Sequence, residues 1–300
     1  MTKTLSYHLY DVQPYINWIY FFHAWGFAPR FASIANVHDC MGCKEAWKAQ
    51  FPEEERAKAK EAAYLYKEAI ELLKKFSETY STYARIGLFE ANADEDNILI
   101  TTEQQGSVLF PCLRQQHLAK ADKSYLCLSD FITPKQKGID KIGLFATTVD
   151  QKMEELPIDD DYQKMLTQTL CDRLAEATTE KLHEQVRKEL WGYAPHESFT
   201  PSELCNEPFQ GIRPAVGYPS LPDQSVNFII EDLLQFSKIG IQLTENGAMK
   251  PHASVCGLMF AHPQSKYFGI GKIGNDQLLD YANRRHLPTE TVRKFLAANL

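Results

Sequence analysis

Between two long helix-like stretches, at residues 52–80 and 159–191, the chain runs through five short strand-like segments with no helical pattern among them. These segments cover residues 84–89, 97–101, 108–110, 125–128 and 142–147, and turn-forming Asp, Asn and Gly residues separate several of them. Strands joined by short turns return antiparallel. The expected fold class is therefore α+β: a twisted, mainly antiparallel sheet from residues 84–149 and 253–274, flanked by long helices. In the first helix a proline sits near the start, Glu53, Glu54 and Glu55 follow, and Lys74 and Lys75 lie near the end, all complementing the helix dipole. Leu65, Ala69, Leu72 and Phe76 give it an apolar stripe. In the second, Leu166, Leu170 and Leu174, then Leu182, Val186 and Leu190, step by four along one face, with Glu176 off that stripe.

Further helices are expected at residues 15–25, capped by Asp11 and stopped by Gly26, and at 225–236, 275–285 and 289–298. Strands are expected at 254–260 and 267–273. Three hundred residues can form one large unit, so residues 1–300 are read as a single domain with a helical excursion at about 155–200.

A formal net charge of −7 argues against bulk nucleic-acid binding, which needs a concentrated basic surface. No apolar run reaches bilayer-spanning length and the N-terminus lacks the plan of a signal peptide, so a cytoplasmic protein without membrane contact is expected. Lys120, Lys123, Lys135, Lys137 and Lys141 make the middle of the chain locally basic, a solvated surface or a docking patch for an acidic redox partner. The seven cysteines follow no secreted-scaffold pattern. His38, Cys40 and Cys43 have the spacing of three zinc ligands or of a redox pair, but no fourth ligand stands at a recognisable distance, and no metal is expected.

The stretch most suggestive of a ligand is Gly211-Ile-Arg213-Pro-Ala-Val-Gly217-Tyr218-Pro219-Ser-Leu-Pro222-Asp223. Its three prolines and two glycines rule out a helix or a central strand. Arg213 precedes a proline and is biased to extended backbone, which projects its guanidinium from a stiff support suited to a carboxylate. Tyr218 adds a flat ring with one polar end. Seen alone, such a loop can equally be a proline-rich surface connector.

Other stretches fall into place around it: Tyr15-Ile-Asn-Trp18, Gly87-Leu-Phe-Glu-Ala-Asn92, Leu113-Arg-Gln-Gln116, Leu128-Ser-Asp-Phe131, Asp172-Arg-Leu-Ala-Glu176, Trp191-Gly-Tyr-Ala-Pro195, Ala253-Ser-Val255 and His262-Pro-Gln-Ser-Lys-Tyr267-Phe268. In this order, from about residue 12 to the C-terminus, they resemble the activation domain of cobalamin-dependent methionine synthase, the module that binds S-adenosylmethionine. The resemblance implies that Arg213 takes the methionyl carboxylate. Asn17 would take the ammonium, with Glu176 and Glu207 nearby, directly or through water. Tyr218, Tyr267 and Phe268 would shape the adenosyl side, and the backbone of Pro214, Ala215, Val216 and Gly217 would read the adenine edge. Asn17 stands where the family has an Asp, so it keeps an acceptor and loses the charge. Phe268 lacks a hydroxyl that some relatives carry there.

The resemblance also implies partners: cobalamin on a corrinoid-binding module met in cis or in trans, and a flavodoxin-like or other one-electron reductant. The chain would present the sulfonium methyl to cob(I)alamin and reactivate the enzyme. A module that caps a corrinoid protein without transfer, or a stand-alone methyltransferase for a small molecule, are the alternatives. Gly269-Ile-Gly271-Lys-Ile-Gly274 fits a dinucleotide fingerprint, but another helix follows where a second parallel strand is needed, so no nicotinamide or flavin site is expected. The chain has no Asp-x-His-x-x-Gly by which related corrinoid domains ligate cobalt.

Overall fold

The computed structural model describes residues 2–103, 106–118 and 124–300. Lys120 and Lys123 of the basic middle section lie outside them.

Strand β1 (Thr2–His8) leads into short helices α1 (Leu9–Val12) and α2 (Trp18–Ala24), a 3-10 segment at Pro29–Asn36, α3 (Met41–Ala49) and the long α4 (Arg56–Ser77). The sheet follows as β2 (Ser81–Asp94), β3 (Asn97–Thr102), β4 (Gly106–Pro111) and β5 (Asp140–Val149). After α5 (Gln151–Glu154) comes α6 (Asp161–Gln185), extended by a π turn at Val186–Leu190, then α7 (Pro201–Leu204) and α8 (Asn227–Leu234). A small hairpin of β6 (Gln242–Leu243) and β7 (Met249–Lys250) precedes β8 (Ser254–Met259), and α9 (Asn275–Arg284) and α10 (Thr289–Phe295) close the chain.

The sheet has the order β4-β3-β2-β5-β8, and every pairing is antiparallel, which the short turns require for β2–β3 and β3–β4. Strand β2 is long enough to be shared. Its residues 81–87 pair with β1 and residues 90–94 with β3 along one edge, while the other edge pairs with β5. Both faces are covered. Phe145, Ile86 and Val255 point into a core with α1, α2, α4 and α6, while Leu144, Ala146 and Leu258 point into a second core with α8, α9 and α10. This explains why β5 is buried almost throughout instead of alternating.

Several expectations are corrected. Residues 15–25 are a 3-10 turn and then α2, because Asn17 is extended and caps α2 from outside. Residues 125–128 form no strand; a 3-10 turn covers Leu128–Phe131, where Asp130 accepts the Cys127 N–H at 2.8 Å. Residues 267–273 are irregular, so the sheet ends at Met259. Strand β1 was not anticipated, although polar and apolar residues alternate in Thr-Leu-Ser-Tyr. In α4 the buried face runs through Leu73, with Leu72 half-buried beside it. The helical segment expected at about 155–200 is α6, which lies on the sheet: Thr178 bonds Thr82 at 2.8 Å, and Thr179 bonds Thr147 at 2.6 Å.

Candidate functional site

The Gly-Pro loop runs along the open edge of β8. Ile212 and Phe260 exchange backbone hydrogen bonds (3.1 and 2.9 Å), Leu258 N–H donates to the Pro214 carbonyl (3.0 Å), and Val216 N–H donates to Cys256 (2.9 Å). Prolines are tolerated because this is an edge. The contact is so close that a Cβ on Gly257 would sit 2.2 Å from the Pro214 oxygen and 2.8 Å from the Ala215 Cα. Of the loop backbone that the resemblance gives to the adenine edge, the Pro214 carbonyl accepts from Leu258 N–H (3.0 Å), the Ala215 carbonyl accepts from Tyr218 N–H (3.3 Å), and the Val216 and Gly217 N–H groups donate to Cys256 and Leu221.

Helix α6 supplies the opposite wall. Arg173 and Ala177, and Glu176 and Glu180, are pairs four residues apart, and three residues separate Arg173 from Glu176 and Ala177 from Glu180, which aligns the four on one helix face. That face, the loop and the irregular segment after β8 enclose a groove of about 700 Å³ that Asn17, Glu207, Tyr218, Tyr267 and Phe268 also line. The volume suits a cofactor-sized ligand. Pro214 and Ala215 reach the groove through the loop's inner side, whereas Gly217, at φ +88°, makes the turn and does not line it.

Arg213 forms an ion pair with Glu180, which lies one helical turn beyond Glu176 and is not among the residues the family resemblance marks. Its backbone N–H donates to the Tyr267 hydroxyl (3.1 Å), and the Tyr218 hydroxyl donates to Glu176 (2.8 Å). Burial works against the Arg213 charge, but Glu180, backed by Tyr267, Glu176 and Glu207, outweighs it and raises the pKa. Burial likewise pushes the Glu180 and Glu207 carboxyls up, against the pull of Arg213. Both shifts have one origin: this end of the groove is short of water and holds more carboxylate than one guanidinium can neutralise. Among the described residues, the buried Arg213 Nε and Glu180 Oε2 have no hydrogen-bond partner. An unsatisfied donor on the loop and an unsatisfied acceptor on the facing helix are what the two charged ends of an amino acid would fill.

Asn17 reaches the groove from the N-cap of α2, where its Oδ1 accepts the Ile19 N–H at 3.1 Å. Its acceptor is thus partly committed to the helix. Asn17→Ala should lower stability by about 1 kcal/mol through the lost cap, while Asn17→Asp should leave it nearly unchanged. Thermal unfolding of the two variants checks this.

The remaining motifs are scaffold. Arg114 forks onto Asp130 (2.8 and 2.9 Å), tying residues 113–116 to residues 128–131. Gln115 donates to the Gly269 carbonyl (2.9 Å) and so holds the segment behind Phe268. At the end of α6, Arg187 is fully buried, bonds Glu197 (2.8 Å) and lies 4.0 Å over the Phe209 ring, which fixes the connection into the loop. The Gly269–Gly274 fingerprint follows no strand, which removes the strand–turn–helix context that a dinucleotide needs.

A covered antiparallel sheet, carrying at its edge an anionic groove with one unsatisfied guanidinium nitrogen and one unsatisfied carboxylate oxygen, defines a small-molecule-binding α+β module. The family model of the vitamin B12 dependent methionine synthase activation domain matches residues 8–286. A crystal structure of the MetH reactivation domain bound to AdoHcy is similar at 36% sequence identity and a TM-score of 0.86, covering 100% of this chain and 90% of that one. The chain belongs to the family of vitamin B12-dependent methionine synthase activation domains.

Proposed function

We propose that the groove binds S-adenosylmethionine and presents its sulfonium methyl to cob(I)alamin held by a partner module of methionine synthase. The observation that carries this reading is the pair of unsatisfied atoms, Arg213 Nε and Glu180 Oε2. Arg213 takes the ligand carboxylate, and Glu180, with Glu176, Glu207 and Asn17 close by, takes the ammonium. This revises the sequence assignment by placing Glu180 ahead of Glu176, whose carboxylate is engaged by Tyr218. Tyr218, Tyr267 and Phe268 supply flat surface for the adenosyl half. The AdoHcy bound to the related MetH reactivation domain supports the same ligand class.

The groove wall carries Glu176, Glu180 and Glu207 against Arg173 and Arg213, an excess of one negative charge. That suits a ligand whose sulfonium adds one positive charge to an amino acid. The partner's corrinoid supplies the nucleophile. The S–CH3 bond breaks with its electron pair left on sulfur, and no proton changes hands. The chain's task is therefore binding and alignment, which can contribute several kcal/mol. A flavodoxin-like or other one-electron reductant completes the proposed reactivation.

Calorimetric titration with S-adenosylmethionine, then incubation with a corrinoid domain and methyl-labelled donor, tests the reading. Saturable binding and label on the corrinoid are expected, and a chain that takes up neither donor nor S-adenosylhomocysteine overturns it. Affinity for the donor should fall as pH is lowered, starting above the ordinary glutamate range, because Glu180 and Glu207 have raised pKa values and lose charge there. The stability of the ligand-free chain should move the other way. A carboxyl that holds its proton more tightly when folded makes stability decrease as pH rises from the unfolded value through the folded one. A donor affinity independent of pH between about 4 and 7 would exclude these carboxylates from binding.

A further inference from the structure

We propose that His38, Cys40 and Cys43 form a binding site for a thiophilic divalent cation of the zinc class, with three protein ligands and a fourth position open to solvent. The spacing lacked a fourth ligand and argued against a metal. The folded loop nevertheless brings one ligand atom from each of the three residues within 4.8 Å of one another. Tetrahedral zinc with sulfur and imidazole ligands sets those atoms about 3.5–3.8 Å apart, so side-chain rotation of about 1 Å closes the set. Two thiolates and an imidazole select zinc-like ions over magnesium or calcium.

The loop is built for this convergence. Cys40 caps α3, and its sulfur accepts the Cys43 N–H at 3.3 Å, which turns both thiols to one side of the first helical turn. His38 folds back so that its Nδ1 accepts the Cys40 N–H at 3.3 Å. Further along α3, Trp47 is buried and donates to Ser33 Oγ at 2.9 Å, anchoring the helix so that its first turn holds a fixed place. On binding, both thiols release their protons to solvent and the cation gains two sulfur bonds and one nitrogen bond. The site staples residues 38–43 to α3, next to the 3-10 segment whose Arg30, Ser33 and Asn36 share a surface with Asn17.

The test is cobalt(II) and zinc(II) titration of the full reduced chain, metal-stripped beforehand and kept under thiol-free reductant. Expected are one equivalent of cobalt per chain, the near-ultraviolet thiolate-to-cobalt band with tetrahedral visible bands, and their displacement by zinc but not magnesium. Cys40→Ser and Cys43→Ser should abolish the thiolate band. His38→Ala should weaken zinc binding by at least about tenfold, since even indirect partners of metal ligands carry that much. Cys205→Ser, which removes the other exposed thiol, should change nothing. Because the wild-type spectrum needs no variant, a folding defect cannot mask the answer. A reduced wild-type chain without the thiolate band, a band that survives both serine variants, or a pair that only closes to a Cys40–Cys43 disulfide in air overturns the proposal.

Discussion

Arg213→Ala is expected to weaken binding of S-adenosylmethionine and S-adenosylhomocysteine by about ten- to hundredfold, the scale of a lost charge-assisted hydrogen-bond pair. The same change should lower stability by several kcal/mol, on the order of the 3–5 kcal/mol that follows when one partner of a buried ion pair is removed. Both effects have the same cause. Arg213 is 12% and Glu180 21% exposed at the side chain, so Glu180 would be left in a poorly solvated place with no cation to face, charged at a cost or protonated. The two effects can be separated. Replacing both residues, as Arg213→Met with Glu180→Met, removes the unpaired charge and should recover much of the stability, because apolar replacement of a buried pair is often neutral. Ligand affinity should stay lost. Recovery of affinity in the double variant, or affinity within twofold of wild type in Arg213→Ala, would mean that the ligand's carboxylate lies elsewhere.

Gly257→Ala should damage the site although Gly257 itself does not line the groove. An added Cβ would lie 2.2 Å from the Pro214 carbonyl oxygen, and both are parts of the backbone framework that cannot rotate away. Either β8 or the loop must shift, and overpacking of this kind costs about 1–3 kcal/mol. The hydrogen bonds that Ile212, Val216, Leu258 and Phe260 make across this seam are the first to lengthen. Since Arg213 rides on that seam, ligand affinity should drop by more than about tenfold, given how sharply charged hydrogen bonds depend on geometry. Calorimetry and chemical denaturation measure the two losses. A fully stable Gly257→Ala with unchanged affinity would mean that the loop does not take its position from β8.

Much of the groove's lining was readable in the linear chain. Arg213 announces itself by the proline after it, Tyr218 and Phe268 by their motifs, and Glu207 by standing just before the loop. Glu180 was missed although its signal was present: it lies four residues after Glu176, hence on the same helix face. The family motif ends at Glu176 and does not reach it. Asn17 was placed one step wrongly, inside a helix rather than at its cap, because Asp11 offered an equally good cap and the Pro14 turn hides the interruption. Nothing in local sequence could reveal Gly257, whose lack of a side chain matters only because residues 214 and 215 cross it.

The sequence by itself determined the α+β class, the antiparallel sense of the sheet and the rigid presentation of Arg213. These rest on short-range rules of periodicity, turn residues and the restricted backbone of proline. Only the tertiary structure decided that Glu180 faces Arg213, that the loop joins the edge of β8, and that His38 meets Cys40 and Cys43. Pairings of the first two kinds link residues tens of positions apart through packing on both faces of the sheet, and the third depends on how α3 is anchored. No local pattern encodes the first two; for the third, the spacing of His38, Cys40 and Cys43 names the set and the fold decides its convergence.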